Sequence, residues 1–186
     1  MICTPYKNAK LSDISNPFGA NPQWYGGIPH TGVDWVSYYG TPLVAPEDCM
    51  IDNIITDENV SEDLAPLTRG YGIIMKGIGG KFHLYWHCQP VFPVGLGQQL
   101  KQGEIVAFMG NSGFVMRGGV VIPIEIRSKP PYPGTHVHQE IFTFVNGQRQ
   151  YEDPLLSIDF SIPIQYNLIS SIMIVIKKII NLLLKR

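Results

Sequence analysis

Apolar positions along the chain come in short runs bounded by Gly, Pro, Asn or Asp. The runs are "TPLVA" (41–45), "CMIDNII" (49–55), "YGIIMK" (71–76), "KFHLYWH" (81–87), "IVAFMG" (105–110), "VVIPIEI" (120–126) and "HVHQEIFTF" (136–144). No helical period competes with them, so each reads as a β-strand between turns. Residues 1–29 look irregular, with "SNPFGANP" and "YGGIP" supplying turns. "DENVSEDLAPLTRG" (57–70) reads as a long acidic loop and "RSKPPYPG" (127–134) as a Pro-rich turn region. Loops of that length in a compact domain are often walls around a site.

The last stretch breaks the pattern. In "YNLISSIMIVIKKIINLLLKR" (166–186), Asn167, Ser170, Ser171, Lys177, Lys178, Asn181 and Lys185 recur at helical spacing. Apolar residues cover the rest, which predicts an amphipathic C-terminal helix. It holds the basic residues Lys177, Lys178, Lys185 and Arg186 and no acid. Lys177 and Lys178 interrupt the apolar run, so a membrane span is not expected. Packing on the domain, pairing with a partner helix of another chain, or lying on an anionic membrane surface fits such a helix. The pattern divides the chain into an irregular segment (1–29), a β domain (30–150) and a linker with the helix (151–186).

Composition narrows the function. The net charge of −1 gives no footprint for nucleic acid. The 19 Gly and 15 Pro lack a period and fit an all-β protein with many turns. Cys3, Cys49 and Cys88 are odd in number and widely spaced, so they read as free thiols. The N-terminal "MICTPYKNAKLSDISNPFG" has no apolar core of signal-peptide length, so synthesis in the cytoplasm without such a signal is expected.

The histidines carry the chemistry. In "GTHVHQE", His136 and His138 stand at i and i+2, so on a strand both project from one face. "HTGVD" places His30 four residues before Asp34, with Gly32 between them. An imidazole and a carboxylate so placed can converge on a cation. Zinc accepts both donor types, and a catalytic site takes three protein ligands and leaves one position open. His30, Asp34 and one of His136 and His138 make such a set, leaving the other for acid–base work. "FHLYWHCQ" adds His83, Tyr85 and His87 on one face of another strand. His87, beside the turn at Gln89–Pro90, suits a site; His83, four residues back, reads as groove-lining or structural.

These pieces, in this order, resemble the lysostaphin-type (LytM-like) zinc endopeptidases, which cut peptide bonds in bacterial peptidoglycan. "HTGVDW" resembles the family's H-x-x-x-D segment, "LYWHC" its Y-x-H, and "GTHVHQEI" its G-x-H-x-H-x-E-I. "VGLGQQLKQGEIVAFMGNSG" is similar to the glycine-rich segment between them. The likeness runs over about residues 16–144 and implies a groove-bearing, β-sandwich-like domain of antiparallel sheets. It implies Zn2+ on His30, Asp34 and His138, with His87 and His136 as catalytic non-ligands; Tyr85 and His83, on the same strand face as His87, are expected along the substrate groove. It implies peptidoglycan peptides as substrate and action at the bacterial cell wall; together with a membrane-seeking tail, that suits a phage lysin, a virion enzyme or a bacterial competition factor. The alternatives are a catalytically silent wall-binding module of the same fold, or a zinc hydrolase for another substrate.

Two departures stand out. "FVMRGGVVIPIEIRSKPPYP", between "GNSG" and "GTHVH", is longer than the resemblance leads one to expect and alters a wall of the groove. Gln139 replaces an aromatic residue, and by strand alternation it points away from the metal face.

Overall fold

The computed structural model describes residues 1–56 and 70–166. Residues 57–69 of the expected acidic loop and 167–186 of the expected C-terminal helix lie outside the described residues. The strands are β1 (Ile14–Asn16), β2 (Val33–Trp35), β3 (Pro42–Val44), β4 (Cys49–Ile55), β5 (Tyr71–Gly77) and β6 (Phe82–Cys88). After them come β7 (Gln99–Leu100), β8 (Ile105–Phe108), β9 (Met116–Arg117), β10 (Val120–Val121), β11 (Val137–Val145) and β12 (Gln148–Glu152). Among the described residues one α-helical turn, α1 (Ile124–Arg127), and a 3-10 turn at Pro22–Tyr25 lie between them.

Eight strands form one sheet in the order β1-β2-β11-β6-β5-β4-β7, with β12 also paired to β11. All these pairings are antiparallel. The chain is therefore an all-β protein, as its hydrophobic pattern predicts. β11 organises the sheet. Its first residues pair with β2 and its later ones with β12, while β6 runs along its other edge.

Alternation along these strands builds two faces. The inner face presents Val33, Trp35, Ile73, Met75, Tyr85, Val137 and Ile141. It packs on Leu43, Val106 and Ala107 of the two-stranded β3–β8 sheet, giving a sandwich-like core. Fully burying one such side chain contributes about 1.5–3 kcal/mol. Ile2 and Tyr6 from the chain start and Ile158 from beyond β12 join the same core. The outer face carries a smaller cluster of Ile74, Leu84 and Phe142. It also carries the polar residues that build the site.

The run "VVIPIEI" is not a strand throughout. Val120 and Val121 end a short hairpin, and Pro123 then caps α1. Proline lacks the N–H that a central strand needs, and its fixed φ suits a helix start. Val120, Val121, Ile124 and Ile126 are exposed, so no second sheet rewards extension there. Cys3, Cys49 and Cys88 are free and buried, as expected from their spacing.

Candidate metal centre

β2 and β11 lie side by side with Asp34 directly opposite His138. Both point to the outer face, because their neighbours Val33, Trp35, Val137 and Gln139 fill the inner one. His30 enters from the segment before β2. Asp34 Oδ1 lies 2.8 Å from His138 Nδ1 and 3.1 Å from His30 Nε2. His30 Nε2 and His138 Nδ1 are 2.9 Å apart. All three residues are at least nine-tenths buried.

The outer contacts of each imidazole fix its tautomer. His30 Nδ1–H donates to the Pro17 carbonyl at 3.0 Å, leaving Nε2 with a lone pair. His138 Nε2–H donates to Glu140 Oε1 at 3.0 Å, leaving Nδ1 with a lone pair. Two lone pairs and a carboxylate oxygen thus face one point, an arrangement that calls for a cation. Tetrahedral zinc with bonds of about 2.0–2.1 Å sets its ligands roughly 3.3 Å apart. The observed separations need only a few tenths of an ångström of expansion, and the donor set fits zinc.

Electrostatics agree. Burial opposes ionisation of Asp34, but the charges and hydrogen bonds of His136, His138 and His30 outweigh it and hold the carboxyl well below its usual range. Burial likewise opposes charging of His138, yet its bonds to Asp34 and Glu140 prevail and raise it to about 9. Without a metal, a proton on His138 takes the cation's place.

Gly32 makes the close approach possible. A Cβ there would stand 2.2 Å from the Gln139 carbonyl oxygen and 3.0 Å from His138 Cε1. Only glycine lets the entry to β2 lie against β11 at this point.

His136 and His87 flank the cluster. His136 shares the outer face with His138, and its Nε2 lies 3.9 Å from Asp34 Oδ1. His87 stacks at a tilt on His136, with ring centroids 4.5 Å apart. His136 Nδ1–H donates to Gly134 O at 2.8 Å and His87 Nδ1–H to Ser112 O at 2.7 Å. Nε2 is thus the nitrogen each has available for chemistry. Burial, then the neighbouring His136, push the His87 imidazole well below its ordinary value.

Strand alternation alone would put His87 with Tyr85 and His83 on the inner face. His87 instead has φ 62°, in the left-handed region, and this reverses the alternation. Cys88 goes into the inner core and His87 joins the outer-face site. Tyr85 and His83 stay inside, which corrects their expected place along the groove. Tyr85 is wholly buried and its hydroxyl donates to Val44 O at 3.0 Å. His83 is buried and bonds Glu47 Oε1 at 2.6 Å through Nε2. Gln139 also points inward, where its Oε1 accepts from Trp35 Nε1 at 2.9 Å.

Glu140, Thr31 and Ser112 support the site from outside the expected set. Glu140, fully buried, accepts from both His138 and Thr31 Oγ1, the latter at 2.6 Å. Its place two residues after His138 on one strand face was the available signal. Ser112, within "GNSG", accepts from Tyr71 N at 2.9 Å through Oγ and donates to Cys88 O at 2.8 Å. Its side chain ties β5 to β6 while its carbonyl holds His87.

The pattern of peptidase family M23 matches residues 28–150. A metalloprotease of uncharacterised role from Haemophilus influenzae is 28% identical over 141 residues, covering 69% of this chain and 26% of that protein. The chain thus spans about a quarter of the length of that curated relative. The catalytic domain of the antimicrobial peptidase lysostaphin from Staphylococcus simulans superposes with a TM-score of 0.56 at 22% identity, over 81% of this chain and 92% of that one. A zinc-containing peptidase from Vibrio cholerae gives 0.54 at 18% identity, over 81% of this chain and 39% of that one.

Proposed function

The chain belongs to peptidase family M23, the zinc metalloendopeptidases, and from that premise we propose that it hydrolyses peptide bonds in bacterial peptidoglycan, with residues 30–150 as the catalytic unit. His30 through Nε2, Asp34 through Oδ1 and His138 through Nδ1 would hold the ion. Zinc supplies Lewis acidity there, polarising a carbonyl and acidifying water. The ligands' one negative charge leaves the site cationic, which favours an electron-rich substrate oxygen.

The remaining work falls to this chain's own side chains. His87, kept neutral by burial, presents Nε2 as the base that takes a proton from the attacking water. Ser112 O holds it in that tautomer. His136, held by Gly134 O and adjoining Asp34, orients the water or the developing oxyanion. Glu140 steadies His138, in the way an outer carboxylate fixes a metal-binding imidazole.

The observation that carries this reading is the convergence of three lone pairs on one point beside two imidazoles tied to backbone carbonyls. The test is zinc content measured together with clearing of a cell-wall suspension. The reading expects about one zinc per chain, and clearing that stops on chelation and returns with zinc. Bound zinc without clearing would favour a silent wall-binding module. A finer part of the proposal is a phage-type lysin whose basic residues 166–186 seek an anionic membrane. Liposome co-sedimentation of protein truncated after Gln165 tests it, and unchanged lipid binding would remove it.

A further inference from the structure

The long segment before β11 is anchored at both ends beside the site. Asn111 Nδ2 donates to Arg127 O at 2.8 Å and to Pro133 O at 3.1 Å. The buried Arg127 guanidinium donates back to Gly113 O. Tyr132 stacks on Tyr39, with centroids 4.1 Å apart. Between these anchors rises the hairpin β9–β10. Its two-residue turn is Gly118–Gly119, with φ of 58° and 82°, which a tight hairpin of this kind requires.

The hairpin tip meets the loop that leads into His30. A Cβ on Gly119 would stand 3.2 Å from Trp24 Nε1 and 3.4 Å from its Cδ1. The glycine therefore rests directly on the indole. The two loops reach the site on either side of His138, near the start of β11. The His30 loop arrives where Thr31 bonds Glu140, and the hairpin segment returns at His136, which bridges Gly110. The cluster around His138 lies between those points. Contact between the tips thus joins the two loops that flank a cluster of nearly covered side chains.

We propose that Trp24 and the Met116–Val121 hairpin are specificity determinants that arch over the groove and sort substrates by bulk. This rests on the peptidase reading. A peptide with a free end threads beneath the arch. A cross-linked peptide, tethered on both sides, enters only when Gly119 parts from Trp24. Uncross-linked stem peptides are then the favoured substrate class over intact wall. The exposed Val120, Val121, Ile124 and Ile126 give this segment an apolar surface for the peptide to pass.

Two measurements test the arch. The first is the ratio of cleavage rates on intact cross-linked wall and on soluble uncross-linked peptides, in the parent, in Trp24→Ala and in a variant with β9–β10 replaced by a short turn. The ratio is expected to rise about tenfold in both variants. Trp24→Phe should stay near the parent. An unchanged ratio in both variants overturns the proposal, whatever happens to the absolute rates.

The second needs no catalysis. Cys3 and Cys49 are buried, with thiols pushed up to about 11 and about 12, and Cys88 is buried and pushed up further, so the native background is quiet. In a His136→Cys reporter, a small maleimide should label at least tenfold faster than a maleimide on a bulky branched carrier. Hairpin removal should erase the difference. Equal labelling with the hairpin present overturns the proposal. Discrimination in a protein whose parent cuts neither substrate keeps the arch and rejects the peptidase reading.

Discussion

Glu140→Gln should weaken zinc binding while leaving the fold in place. Glu140 has no solvent exposure and accepts from His138 Nε2–H at 3.0 Å and Thr31 Oγ1 at 2.6 Å. Glutamine keeps the shape and one acceptor oxygen but loses the charge. A hydrogen bond to a charged group contributes roughly 1.5–3 kcal/mol, against about 1 for a neutral pair. The difference, about 0.5–2 kcal/mol, corresponds to roughly 2–30-fold in affinity. Loss of an outer-shell partner typically costs about 10–100-fold in metal affinity. A loss of about tenfold is the expected result where these ranges overlap. Competition against a chromogenic chelator reads it directly, with thermal unfolding of the metal-free protein as the control for folding. Thr31→Val, which leaves the carboxylate charged, should lose less. A Glu140→Gln protein that binds zinc within twofold of the parent would refute the reasoning, because the carboxylate would then be packing alone.

Three further outcomes follow from the same geometry. His138 sits at about 9 in the metal-free protein, so at pH 7.5 it is protonated and zinc must displace that proton. Calorimetry in buffers of different ionisation enthalpy should report release of about one proton at pH 7.5, falling toward zero above pH 9; no release at pH 7.5 would count against His138 as a ligand. His87→Ala should keep its zinc and lose about 10²–10⁴-fold in turnover, the scale of one acid–base group; a zinc-free variant would show that His87 holds the ion. Ser112→Ala removes the bonds to Tyr71 N and Cys88 O and frees the loop behind His87. Its turnover should fall about tenfold with zinc retained and return in Ser112→Thr, each lost bond contributing about 1 kcal/mol to the loop; equal turnover in Ser112→Ala and parent would discount that role.

Much of this was legible because a strand has a period of two. That period puts His136 and His138 on one face, sends Gln139 inward and separates the core of β4, β5 and β11 from their outer residues. It failed where the backbone left the pattern. At His87 a left-handed φ reverses the alternation, and no local residue type announces it. Tyr85 and His83 were placed by the same rule and ended up inside. Strands of two or three residues, such as Ile14–Asn16, are too short to show a period. Contacts between distant loops, such as Trp24 on Gly119, have no sequence signature. The choice of His138 over His136 came from resemblance, because strand geometry alone offers both.

The central claim is that a zinc held by His30, Asp34 and His138 hydrolyses peptide bonds of the cell wall. Mass spectrometry of fragments released from purified peptidoglycan, with the zinc-loaded protein, the chelated protein and His138→Ala in parallel, tests it most directly. The account predicts fragments with new amino and carboxyl ends from the loaded protein and none from the other two. Equal release in all three, or cleavage confined to the glycan strands, would contradict it.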